Sequence, residues 1–228
     1  MNFLKIKNFL LLFLIIFSYL ISVAKTYAVD ITADRTISSS SDGDQYNIKT
    51  NNDIDVIVTN NSTLERNQKI FNVSASSLTG SSITIHLGSS VIAETNSIFS
   101  NGAELTITNT GTIEATNSKA INVSNSDGVS ITNNNNGVIK SNNNTILGDA
   151  GTGADNVTID NSGEIYTTAT GTESSAIVFA NNDTGNTITN NSGGEIYSSG
   201  SESTIVLGVS STLTNSGSIK NNKSVTNK

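Results

Sequence analysis

The 228-residue chain has no cysteine, no proline and no tryptophan, and a single histidine, His86. Without cysteine there are no disulfide staples, so stability rests on packing and hydrogen bonds. A thiol-linked lipid anchor is excluded on the same ground, and one histidine without cysteine cannot make a typical zinc site. Charge is sparse too: Asp, Glu, Lys and Arg make up 14% of the chain and leave a net −7. Nucleic-acid binding needs a basic footprint that this balance does not offer, and docking on anionic lipid is disfavoured for the same reason. There is no phosphate-binding GK[ST] loop, no GxSxG nucleophile elbow and no GGxGxD calcium roll. The lack of proline suits a chain of strands, because proline deletes a ladder hydrogen bond.

What is present is polar and regular. Asn alone supplies about one residue in seven. Such a bias on its own points to disorder, but Ile and Val recur at fixed places, which a disordered tract has no reason to arrange. The N-terminus is different. Lys5 and Lys7 precede an apolar run from Phe9 to Ala24, and Thr26-Tyr27-Ala28 ends it with a small residue at each key position. A positive region, an apolar region and an A-x-A-like exit define a secretory signal peptide, expected over residues 1–28. Its removal takes three lysines, moving the net charge from −7 to −10.

One phrase repeats through the chain. ITNTGTI at 107–113, IDNSGEI at 159–165 and LTNSGSI at 213–219 share it, with looser copies ITNNNNGVI at 131–139 and ITNNSGGEI at 188–196. Successive copies start 24, 28, 29 and 25 residues apart, a solenoid period. Between them lies a third apolar element, as in Ala120-Ile121-Asn122-Val123, Thr145-Ile146-Leu147, Ala176-Ile177-Val178-Phe179 and Thr204-Ile205-Val206-Leu207. Three short strands per repeat, each alternating in and out, predict an all-β fold: a right-handed parallel β-helix of about seven rungs over residues 55–228. Residues 29–54 read as an N-terminal cap or lead-in strand.

The Asn of the phrase sets a sharp turn and, stacked on its equivalents, predicts a ladder of amides: Asn60, Asn109, Asn133, Asn161, Asn190 and Asn215, broken at Leu87. The Gly that follows (Gly88, Gly111, Gly137, Gly163, Gly193 or Gly194, Gly217) is expected to supply a positive φ. The longest excursions, 149–155 and 181–186, both follow the third strand and are expected to project from one corner.

No residue set reads as a catalytic, cofactor or metal site. The acids Asp127, Asp149, Asp155, Asp160, Glu164, Asp183 and Glu195 are scattered, Arg35 and Arg66 lie far from them in sequence, and His86 faces solvent by strand alternation. Only Glu164 and Glu195 occupy equivalent points of successive rungs, about one strand spacing apart. That matches the carboxylate separation of retaining glycosidases. Other rungs carry Thr112, Val138 and Ser218 there, so solvated surface acids are the preferred reading. The N-x-[ST] triplets at Asn72, Asn122 and Asn156 follow from composition and turn chemistry.

A signal peptide followed by ITNxGxI…AI rungs resembles the passenger region of Gram-negative autotransporters. The resemblance implies export, passage through an outer-membrane translocator barrel, and display at the cell surface, with a host or neighbouring-cell ligand as partner. This chain has no barrel segment and stops partway through a rung at 221–228, so the expectation is an N-terminal fragment of a longer product, periplasmic unless a barrel is supplied. A non-catalytic stalk or adhesin-like module is the leading expectation, with no cofactor and no nucleic-acid partner. A carbohydrate-active β-helix enzyme, or a secreted remnant without function, is the alternative. Expressed in a Gram-negative cell, the exported protein should have an intact mass that starts at Val29. A mass retaining residues 1–28 refutes the signal-peptide reading.

Overall fold

The computed structural model describes residues 28–221, apart from 50, 51, 60, 75–77, 103 and 149–152. Residues 1–27 of the expected signal peptide, and 222–228 at the other end, lie outside the described residues. The described chain is all β, with 24 strands of two to five residues. They coil so that every third strand joins the same sheet, giving three parallel sheets of eight strands each. The first turn is Ala28–Ile31, Arg35–Ile37 and Ser41–Asp42, and the last is Ile205–Val206, Thr212–Asn215 and Ser218–Asn221. These three strands begin and end sheets A, B and C respectively. Counted from Asp55, the strands fill six turns and two thirds of a seventh. The lead-in segment is continuous with the coil: Ala28–Ile31 pairs with Gln45–Ile48, and Arg35–Ile37 with Asp55–Val58.

Alternation decides what lies inside. In Leu105–Asn109 the burial pattern runs buried, exposed, buried, half-buried, buried. Parallel pairing then places like on like. Ile83, Ile107, Ile131, Ile159 and Ile188 form one column in sheet B. Val91, Ile113, Ile139, Ile165 and Ile196 form another in sheet C. In sheet A the column is Phe71, Ile98, Ile121, Ile146 and Ile177. All of these are 0% exposed. β-Branched side chains pack well on the pleat, and one continuous core runs the length of the coil.

The amide ladder is present, and it is shorter than expected. Asn109 Nδ2 donates to Asn133 Oδ1, Asn133 to Asn161, Asn161 to Asn190 and Asn190 to Asn215, each at 2.8 Å. The first four are fully buried. Each amide also closes its own corner. Asn109 Oδ1 accepts the Gly111 N–H at 3.1 Å, and Asn109 Nδ2 donates to the carbonyls of Gly111 and Val138 at 3.2 and 3.3 Å. The residue paired below Asn109 is Ile85, and below that Val58. Leu87 is therefore not the break: it is a turn residue, 64% exposed. Asn60 lies outside the described residues, and the ladder column at its rung is held by Val58.

The expected positive φ holds at Gly88 and Gly193, whereas the Gly that directly precedes the sheet C strand has a different role. None of Gly111, Gly137, Gly163, Gly194 and Gly217 has a positive φ. What they lack is room. A Cβ at Gly163 would lie 2.8 Å from Asn133 Nδ2, 2.6 Å from the Asn134 carbonyl oxygen, and closer still to that of Gly137. Glycine here lets the rung below bring its carbonyls up against the backbone. Positive φ occurs one residue earlier, and only where the corner is two residues longer: at Asn61, Gly88, Asn136 and Gly193. Those longer corners close with a turn hydrogen bond, as from Gly137 N–H to the Asn134 carbonyl at 2.8 Å.

Two substitutions separate these roles. Gly163→Ala should cost about 2–3 kcal/mol, since backbone cannot retreat as a flexible side chain does. Gly171→Ala, with nothing within 4 Å of the added Cβ, should be close to neutral. Asn133→Ala should cost about 2–3 kcal/mol by breaking two buried links of the ladder and the bonds to the Gly137 and Glu164 carbonyls. Urea denaturation of the three variants checks the order, and equal midpoints for Gly163→Ala and Gly171→Ala would contradict the crowding account.

Candidate functional site

With the interior filled, any ligand must meet the outward residues, and the most varied of these lie on sheet C. Outward position two of its strands stacks Glu114, Lys140, Tyr166, Tyr197 and Lys220 in successive rungs. Lys140 Nζ reaches Glu114 Oε2 at 2.9 Å, and this hydrogen bond raises the lysine pKa against the opposing effect of burial. Tyr166 and Tyr197 stack face to face, with centroids 4.5 Å apart and planes 7° from parallel. Burial, then the neighbouring Tyr166 and Glu164, push the Tyr197 phenol up to about 12.

Glu164 and Glu195 are register partners, as the spacing predicts. Glu195 is engaged: its Oε1 meets Lys220 Nζ at 3.1 Å. Beside the pair, corner length carves a notch. The corner after Asn161 is two residues shorter than those after Asn133 and Asn190. The short rung is thus recessed between longer neighbours, leaving a depression of about 480 Å³ lined by Asn136, Ser162, Gly163, Gly193 and both glutamates. It offers carboxylate and hydroxyl oxygens, side-chain amides and backbone groups.

The other described acids bond the frame. Asp127 Oδ1 accepts the Asp155 N–H at 3.1 Å, and Asp155 Oδ1 accepts the Thr184 N–H at 2.6 Å. Asp160 accepts from the Asn191 amide. Asp183 is fully buried, and its two oxygens accept the N–H groups of Ala154 and Ala180 at 2.9 and 2.7 Å. Residues 181–186 do leave at the sheet A to sheet B corner, as expected. Asp183 and Asn186, both at 0% exposure, anchor the segment to the corner, while Asn181, Asn182 and Thr184 are exposed. Asp149 lies outside the described residues. Among the described residues no group of three His, Cys, Asp or Glu side chains is placed to hold a metal ion. His86 is exposed, with its Nδ1 3.2 Å from Thr59 Oγ1.

Three features escape the sequence reading. The tyrosine stack had a signal, the phrase Glu-Ile-Tyr repeated at 164–166 and 195–197. A third excursion, 168–176 between sheets C and A, carries Glu173, which bonds Asn143 Nδ2 at 2.8 Å and lies 3.6 Å from Lys119. The Asn143 bond and the Lys119 charge hold its pKa below the usual carboxylate value. Arg66, 7% exposed, takes an inward position opposite Ala93 and is held by Gln45 Oε1 at 2.8 Å.

Comparisons of the chain with protein-family models, with curated proteins and with solved structures find no match.

Tyr197 gives a pH signature. Its folded pKa of about 12 lies above the ordinary phenol value of about 10, so the folded state holds the proton more tightly. Its contribution is complete below the unfolded value and is lost as pH rises from there through the folded value. Spectrophotometric titration should show a late-ionising phenol that disappears in Tyr197→Phe. An unchanged titration curve in that variant would disprove the assignment.

Proposed function

We propose that the protein is a non-catalytic, exported stalk of the autotransporter-passenger type, whose outer faces make adhesive contacts. The observation that carries this reading is the division of labour along the coil: a continuous apolar core and an outward surface rich in Ser, Thr, Asn and paired charges. Seven rung-to-rung steps of about 4.8 Å make a rod of about 34 Å. Nothing in such a rod hinges, because each rung is clamped by main-chain ladders to both neighbours. A rod of repeated polar columns supports many weak contacts along one face, which sum by multivalency. The ligand of this reading is a host or neighbouring-cell surface group, and the notch on sheet C is the first place to look for it. Sequence resemblance supports the export route: the leader, then the ITNxGxI rungs.

The juxtaposition of Glu164 and Glu195 is what a carbohydrate-active alternative would rest on. In that reading Glu164→Gln abolishes glycan cleavage, whereas in the stalk reading no cleavage exists to be lost. Display is tested by fusing the chain to an outer-membrane translocator and treating intact cells with protease. Digestion without lysis is expected. Protection until the cells are broken would overturn the surface assignment.

A further inference from the structure

Tyr166 and Tyr197 hold register-paired positions on neighbouring strands of sheet C, because Glu-Ile-Tyr recurs at 164–166 and 195–197. Parallel pairing points both side chains outward in the same direction, one strand spacing of about 4.8 Å apart. The rings match that spacing by lying flat on one another, with centroids 4.5 Å apart and planes 7° from parallel. Stacked along the coil, they turn their faces to each other and their edges to solvent. Both residues are half-buried. The outer edge of each ring carries the hydroxyl and the two Cε carbons beside it, so the Cε carbons of one ring lie beside those of the other.

The rest of the chain leaves this pair as the preferred target of an oxidant. With no Cys, no Trp and a single methionine at residue 1, there is no indole, and no sulfur beyond Met1, to be oxidised first. Of the five tyrosines, Tyr19 and Tyr27 fall within residues 1–28, the expected leader. Tyr46 is 2% exposed, with its ring packed on Phe71 at 5.5 Å between centroids. In a chain starting at Val29, the two phenols open to solvent are therefore the two that touch.

We propose that Tyr166 and Tyr197 are a site of oxidative cross-linking, joined as dityrosine by a peroxide-driven one-electron oxidant such as a haem peroxidase. Each phenol gives up one electron, and its proton passes to water. The unpaired spin of each radical is shared by the Cε carbons ortho to the oxygen, and one Cε from each ring joins in a new carbon–carbon bond. The hydrogens displaced from those carbons return to the phenol oxygens through solvent, restoring both rings. Two tyrosines and one hydrogen peroxide thus yield one dityrosine and two waters. The bond closes a loop of about 30 residues, which restricts the unfolded chain as a disulfide does. It supplies a covalent staple between rungs in a chain that has no cysteine to make one.

The test treats the purified exported chain with a haem peroxidase and one equivalent of hydrogen peroxide. The product should remain monomeric on a denaturing gel, gain dityrosine fluorescence and lose the mass of two hydrogens. Cleavage after glutamate should release residues 165–173 joined to 196–202. Tyr166→Phe and Tyr197→Phe, checked for folding by circular dichroism, should each abolish that joined species. Oxidation in urea, where the stack is lost, should lower its yield several-fold, and the linked protein should unfold at higher urea than the unlinked one. Release of the two peptides unjoined from oxidised folded protein overturns the proposal, as do links formed chiefly between chains or to Tyr46. Equal yield from the unfolded chain would show that the stack does not direct the coupling, and a linked protein with no gain in urea midpoint would refute the staple.

Discussion

Everything in this molecule depends on equivalent residues lying directly above one another. A parallel ladder with no register shift turns one residue choice into a column: isoleucine on isoleucine inside, threonine or tyrosine on its like outside, amide on amide at the corner. The amide column is the strictest of these. Isoleucines stack with tolerance, but a carboxamide donor must find an acceptor at hydrogen-bond distance, and in a buried corner an unmet amide is expensive. Four successive links at 2.8 Å fix both the rise between rungs and the angle at which sheet B hands over to sheet C.

The corner glycines belong to that same constraint. Each amide brings carbonyls of two rungs close to the backbone, and only a residue without Cβ leaves them room. Corner length is free provided this packing is kept. Short and long corners both satisfy the ladder, the longer by adding a left-handed residue before the glycine. Surface relief, including the notch beside Glu164 and Glu195, is thus produced without disturbing the core.

Much of this is legible in the sequence, because columns are spelled as repeats. The strands, their number per turn and the in–out alternation follow from apolar spacing alone. The misplacement of the ladder at Leu87 and Asn60 has a specific origin. Those rungs have the longer corner, so aligning on the turn slips the register by two residues. An even slip leaves the period-2 alternation in phase, and the apolar pattern cannot expose it. The glycine role was hidden for another reason: a demand for positive φ and a demand for space are both written as Gly. Arg66 and Asp183 were unreadable because charge argues outward while position argues inward. Only coordinates show the glutamine and the backbone N–H groups that receive them. At the candidate site, the Glu164–Glu195 pairing was legible. The notch and the tyrosine stack were not, since both arise from how neighbouring rungs differ.

Because a rung touches only the rung above and the rung below, the unit of heredity and the unit of structure coincide. A stretch as short as the 24 residues between Ile107 and Ile131 can be copied or deleted by slippage of the gene, and the interior closes again without any compensating change elsewhere. Length is thereby adjustable in lineage time while the chemistry of each face stays in phase.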